Sequence, residues 1–187
     1  MSIDKLSAVD SMAAATKYNT TPEDAMAING YYHAVCYDAD GNVKWEEPIH
    51  NLVTTAGQNK TLDTILGAVS AGDVVMGLKG TGTAVVGDTQ ASHAGWLEVG
   101  GTNAPAYSGD RKTPSFNAAA AASKTTSSAV SFSMTSTGTV AGCFINIGGS
   151  ATKDNTTGTL FSAGDFSSSK AVVNGDTIAV NYTLSLT

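Results

Sequence analysis

The stretch Lys170-Ala171-Val172-Val173-Asn174-Gly175-Asp176-Thr177-Ile178-Ala179-Val180-Asn181-Tyr182-Thr183-Leu184-Ser185-Leu186 decides the fold class. From Ile178 onward every second side chain is large and apolar, which is the period of a strand with one face on a core. Asn174-Gly175 is the dipeptide that two-residue hairpin turns favour, because both central residues there take positive φ. A hairpin is expected at this point. Upstream the alternation continues: Val130, Phe132 and Met134 share a face, and Val140, Phe144 and Ile147 mark another apolar run in which Gly142 is placed for a bulge.

Further towards the N-terminus the same reading holds as far back as Gly30. Tyr31, His33, Val35 and Tyr37 fall on one face and Tyr32, Ala34 and Cys36 on the other, and Asp38-Ala39-Asp40-Gly41-Asn42 turns the chain into Val43-Lys44-Trp45. Thr55-Ala56-Gly57-Gln58 fits a helix capping box, with Leu62, Ile65 and Leu66 expected as the inward stripe and Gly67 as the stop. Val74-Val75-Met76-Gly77-Leu78 reads as a buried strand. Residues 80–110 read as long loops with one short element at Trp96 to Val99, and residues 117–128 as a low-complexity connector. Seven or eight short strands and one helix predict a mainly β protein, an antiparallel β-sandwich or jelly roll with one short helix.

Residues 1–29 stand apart from the β domain at 30–187. Ile3, Leu6, Val9 and Met12 recur every third residue, a shallow stripe that suits either a helix packed on the core or an arm ordered by a partner. Ile3, Leu6 and Met12 are therefore the candidate partner-interface residues.

Composition narrows the function classes. Ser, Thr and Gly number 19, 24 and 20 of 187 residues, only 14% of the chain is charged, and the net charge is −6. With no cationic run beyond Arg111-Lys112, a nucleic-acid partner is not expected. No apolar stretch is long enough to span a membrane, and MSIDKLSAVD lacks the basic and apolar regions of a secretory signal. Cys36 and Cys143 lie in apolar alternating segments and read as unpaired core residues.

No constellation predicts catalysis, a cofactor or a metal. Gly80-Thr81-Gly82-Thr83-Ala84-Val85 ends on Val85 where G-x-G-x-x-G needs glycine, and no P-loop lysine follows. His33, His50 and His93 are too far apart for a paired zinc motif. Counting an EF-hand loop from Asp38 puts Ile49 where the bidentate Glu belongs, so the acidic residues are expected simply to turn a hairpin. No serine sits in G-x-S-x-G. Glu46 and Glu47 point to opposite sides of a strand and read as a solvated strand end before Pro48.

Several motifs are similar to segments of small structural proteins of tailed bacteriophages. They are His50-Asn51-Leu52-Val53-Thr54-Thr55-Ala56-Gly57; Leu78-Lys79-Gly80-Thr81-Gly82 followed by Gly87-Asp88-Thr89; Ser92-His93-Ala94-Gly95-Trp96-Leu97-Glu98 with Tyr107 and Arg111 downstream; and the ending from Thr157 through Val173-Asn174-Gly175-Asp176-Thr177 to Ser185. The resemblance spans roughly residues 30–187 and implies a virion component, made in the host cytoplasm, with no catalytic residues. Capsid decoration, or cement, is the favoured role. Its partners would then be the major capsid protein and further copies of the chain, on the capsid surface and as a homo-oligomer. A tail, collar or fibre component is the first alternative. The second is a carbohydrate-binding sandwich module, for which Trp45, Trp96, Tyr31, Tyr32 and Tyr107 would have to supply a stacking platform.

Overall fold

The computed structural model describes residues 27–67 and 69–187. In chain order they form β1 (Ile28–Tyr37), β2 (Val43–His50), β3 (Leu52–Val53), α1 (Thr55–Ile65), β4 (Val74–Gly82), β5 (Trp96–Val99), β6 (Ser123–Thr125), β7 (Val130–Ser133), β8 (Gly138–Ile147), β9 (Thr159–Val172) and β10 (Thr177–Leu186). One sheet runs β2-β1-β10-β6, with β7 also on β10, and the other runs β3-β9-β8-β4-β5. Every pairing is antiparallel. The fold is the β-sandwich that the alternation predicts.

The inner faces meet where period two places them. Tyr32, Ala34 and Cys36 of β1 and Ile178, Val180 and Tyr182 of β10 pack against Met76, Leu78, Cys143, Ile145 and Phe161 of the other sheet. β4 and β8, in contrast, are buried on both sides along much of their length. Their outer face carries a second cluster of Trp96, Phe144, Leu160 and Ala163, so they read as near-continuous apolar runs. Gly77 sits under the Phe144 ring, where a Cβ would come within 2.4 Å. The bulge expected at Gly142 is present as a register shift between Val140 and Gly142 against β9.

Three local expectations are corrected. First, Asn174-Gly175 does not close a hairpin, because β9 and β10 belong to different sheets. Gly175 does take φ +95°. The turn is a corner, held by Gly175 N donating to Met134 O at 2.9 Å and by the Asp176 carboxylate accepting from Val173 N at 2.8 Å and Lys44 Nζ at 2.5 Å. Each flanking strand has an apolar face to cover, and changing sheets sets those faces against each other across the core.

Second, residues 117–128 are more than a connector. Ser123–Thr125 pairs with Thr183–Ser185 and extends the sheet beyond the end of β7.

Third, α1 is capped by Thr54, not Thr55: Thr54 Oγ1 accepts from Gly57 N at 3.0 Å and donates to Leu160 O at 2.5 Å. Its apolar stripe is also turned outward. Leu62 is 53%, Ile65 62% and Leu66 82% exposed, while Gly57 is the buried residue of the helix. A Cβ on Gly57 would lie 2.2 Å from Phe161 O, so the helix backbone rests almost directly on β9. At that separation only small side chains fit beneath it. Gly57, Thr61 and Thr64 share that side, leaving the larger residues to face away.

Candidate functional site

One end of the sandwich is incompletely closed. The registers Val74↔Ile147, Ile147↔Thr159 and Gly30↔Leu184 show that β1, β4 and β9 begin, and β8 and β10 finish, at this end. Six partly buried hydrophobic residues flank the main core, and four of them, Val74, Phe116, Ile147 and Leu184, line a groove of about 390 Å³ here. Its floor is Ile145, Phe161 and Tyr182, and Thr61, Thr64 and Ile65 of α1 form one wall. Lys60 and Lys124 stand at its rim. Their ammonium groups donate to Ser70 O and Asn117 O, and neither pairs with a carboxylate among the described residues. At 100° per residue, Leu62 and the C-cap residue Leu66 project away from the groove, and both are exposed.

A second concavity, of about 290 Å³, is lined mainly by polar residue types, among them Gln90, His93, Glu98, Asn103 and Asp154. Its carboxylates are already engaged. Glu98 accepts from Arg111 Nε at 2.9 Å, from Arg111 Nη2 at 2.6 Å and from Asp154 N at 3.0 Å. Arg111 donates further to Ser150 O and Asn155 O, and Asp154 accepts from Thr102 N. The Gln90 carboxamide donates to Asn155 O, while its oxygen is buried without a partner among the described residues.

The motif Ser92-His93-Ala94-Gly95-Trp96-Leu97-Glu98 thus builds framework. Trp96 is 2% exposed, donates from Nε1 to Asp88 Oδ2 at 2.9 Å, and has His93 stacked on it at 4.0 Å. Buried Lys79 lies 5.7 Å from the Trp96 ring and 2.5 Å from Asp165. Indole, imidazole and ion pairs together fasten the loops after β4 onto the outer face of the sheet.

The other residues singled out in the sequence are dispersed. His33 Nε2 lies 2.6 Å from Glu46 Oε1, and His50 meets Tyr31 edge-on. Asp38 caps its own turn, accepting from Asp40 N at 3.0 Å and Asn42 N at 2.8 Å; these bonds hold its carboxyl below the usual range. The expectation that Glu47 is solvated beside Pro48 is corrected: it is only 6% exposed, since β2 packs against β9. Burial pushes its pKa up, but Lys170 at 2.9 Å and Ser167 N at 2.7 Å outweigh that and hold it below the ordinary value.

Cys36 and Cys143 are buried and unpaired, as read from the sequence. Burial raises the Cys36 thiol to about 11 and the Cys143 thiol to about 12. Of the five aromatics named as a sugar platform, Tyr32, Trp96 and Tyr107 are core residues, and Trp45 is edge-on to Phe166 with its Nε1 donating to Ala171 O. Among the described residues no group of three or more His, Cys, Asp or Glu side chains is placed to hold a metal ion, and no helix is long and apolar enough to cross a membrane. Ile3, Leu6 and Met12 lie outside the described residues. Comparison with protein-family models, curated proteins and solved structures finds no match.

Proposed function

We propose that the chain is a structural protein of a tailed-bacteriophage virion, acting as a capsid decoration protein that binds the major capsid protein and further copies of itself. The observation that carries this reading is the exposed apolar pair of Leu62 on α1 and Leu66 at its C-cap. These side chains are turned to solvent by close packing of the helix backbone on β9, so they are available to a partner and contribute little to the sandwich. The resemblance of the motifs in residues 30–187 to segments of phage structural proteins supports a shell as that partner. The distinctive motif residues of that similarity, Trp96, Glu98 and Arg111, build a fastened β scaffold here and leave recognition to the surface. Many copies on a lattice turn individually weak apolar contacts into stable occupancy.

The test is decoration of purified capsids lacking this protein, read by co-sedimentation and electron microscopy. The full chain should bind at regular positions, and Leu62→Asp/Leu66→Asp should lose at least about tenfold in occupancy while keeping the melting temperature of the parent. Label on tails instead of heads would favour the appendage role, and a failure to associate with any virion part would end the reading.

A further inference from the structure

The unfinished end of the sandwich lies where the chain enters it. Ala27 and Thr187 exchange backbone hydrogen bonds of 2.7 and 3.0 Å, and Leu184, a groove residue, lies opposite Gly30. Ala27 is therefore about 10 Å along β1 from the groove wall, at 3.4 Å per residue. Twenty-six residues precede it, and they include Ile3, Leu6, Val9 and Met12. We propose that the groove is the seat of this chain's own N-terminal segment, whose apolar side chains near Leu6 complete the core between α1 and the β8–β10 end of the sandwich.

Three observations converge on that occupant. The first is size. A cavity of about 150 Å³ accepts one benzene-sized group, so a groove of about 390 Å³ takes two to three aliphatic side chains, as many as neighbouring members of the stripe can present together. The second is reach. The 14 residues between Met12 and Ala27 span up to about 50 Å when extended, far more than the return requires. Tethering also gives the segment an effective concentration near millimolar, which favours the chain's own groove over a neighbour's. The third is charge. Residues 1–26 carry Asp4, Asp10, Glu23 and Asp24 against Lys5 and Lys17, and the groove rim presents Lys60 and Lys124. Seating Ile3, Leu6 and Met12 here gives them an intramolecular role, so the inference stands whether or not the protein decorates a capsid.

The test uses the full chain with Ser7→Cys, in the segment, and Ala71→Cys, at an exposed residue that lines the groove edge and where cysteine is a small replacement. A short bis-maleimide should link the two within a single monomer, identified by peptide mass spectrometry on mixed light and heavy protein. In parallel, Leu6→Asp and deletion of residues 1–26 should each raise the fluorescence of an apolar dye such as ANS several-fold and lower the melting temperature on the order of 5–10 °C. Leu6→Asp keeps the comparison decisive if the deleted chain does not fold. Links found only between light and heavy copies would overturn the proposal in favour of exchange between subunits. Absence of a link, or dye binding and melting unchanged by Leu6→Asp, would overturn it outright.

Discussion

Arg111 and Glu98 offer the sharpest perturbation of this structure. Their side chains are 0% and 4% exposed, and two charge-assisted bonds of 2.9 and 2.6 Å join them in a fork. The same guanidinium ties the loop at 108–112 to Ser150 O and Asn155 O, so one cation holds three chain segments. Replacing either partner alone strands the other as a buried charge, which costs about 3–5 kcal/mol. For a chain of this length each kcal/mol moves the melting temperature by about 2–4 °C, so Arg111→Met and Glu98→Leu should each lower it by about 6–20 °C. The double variant removes both charges and should be far less damaged than the sum, with a coupling energy of at least about 2 kcal/mol in a urea double-mutant cycle. Some loss remains because Ser150 O and Asn155 O lose their donor. Single variants costing under about 1 kcal/mol, or strict additivity, would show that the pair is effectively solvated, and the framework reading of the motif would fall with it.

Further outcomes follow from burial, packing and charge elsewhere. Cys36 and Cys143, with thiols raised to about 11 and 12, should resist a thiol reagent at pH 8 in the native protein and titrate as two groups after denaturation; rapid native labelling of either would contradict their core placement. Glu47 has a folded pKa below its unfolded one, so the stability it contributes is present above the unfolded value and fades as pH falls through the folded value. The gap between parent and Glu47→Gln should accordingly be open at pH 7 and narrow below about pH 4; a gap that widens on acidification would reverse the sign. Gly57→Ala should destabilise by about 1–3 kcal/mol despite better helix propensity, because its Cβ would meet Phe161 O at 2.2 Å. A more stable variant in urea would show that α1 can lift off β9 freely.

Alternation was enough to place β1, β7 and β10, because each has one face on the core and the other near solvent. It could not tell which strands pair. Asn174-Gly175 adopts the turn its residues prefer, yet a turn restricts only a few dihedrals, and sheet membership is set by what Val172 and Ile178 must cover. β6 was illegible for the opposite reason. Ser123-Lys124-Thr125 has no apolar period, and its place on the sheet edge comes from backbone pairing with Thr183–Ser185. Burial of Glu47 is not legible locally, because a carboxylate beside a proline looks solvated until Lys170, 123 positions later in the chain, arrives beside it.

The groove was the least legible feature, and α1 shows why. Leu62, Ile65 and Leu66 form the stripe that amphipathicity assigns to the core, and in a helix held about 10 Å from a sheet by large side chains they would point there. Gly57, Thr61 and Thr64 follow the spacing i, i+4 and i+7, which marks a second face made of small residues. Close approach of a helix requires such a face, and once Gly57 touches Phe161 O the helix cannot also bury its largest side chains beneath it. The small-residue stripe was therefore the sequence signal for a helix turned outward. Other groove residues, Phe116, Ile147 and Leu184 among them, converge from distant segments and share no local pattern. What joins them is incomplete burial at one end of the sandwich, a property of the assembled sheets that no window of sequence contains.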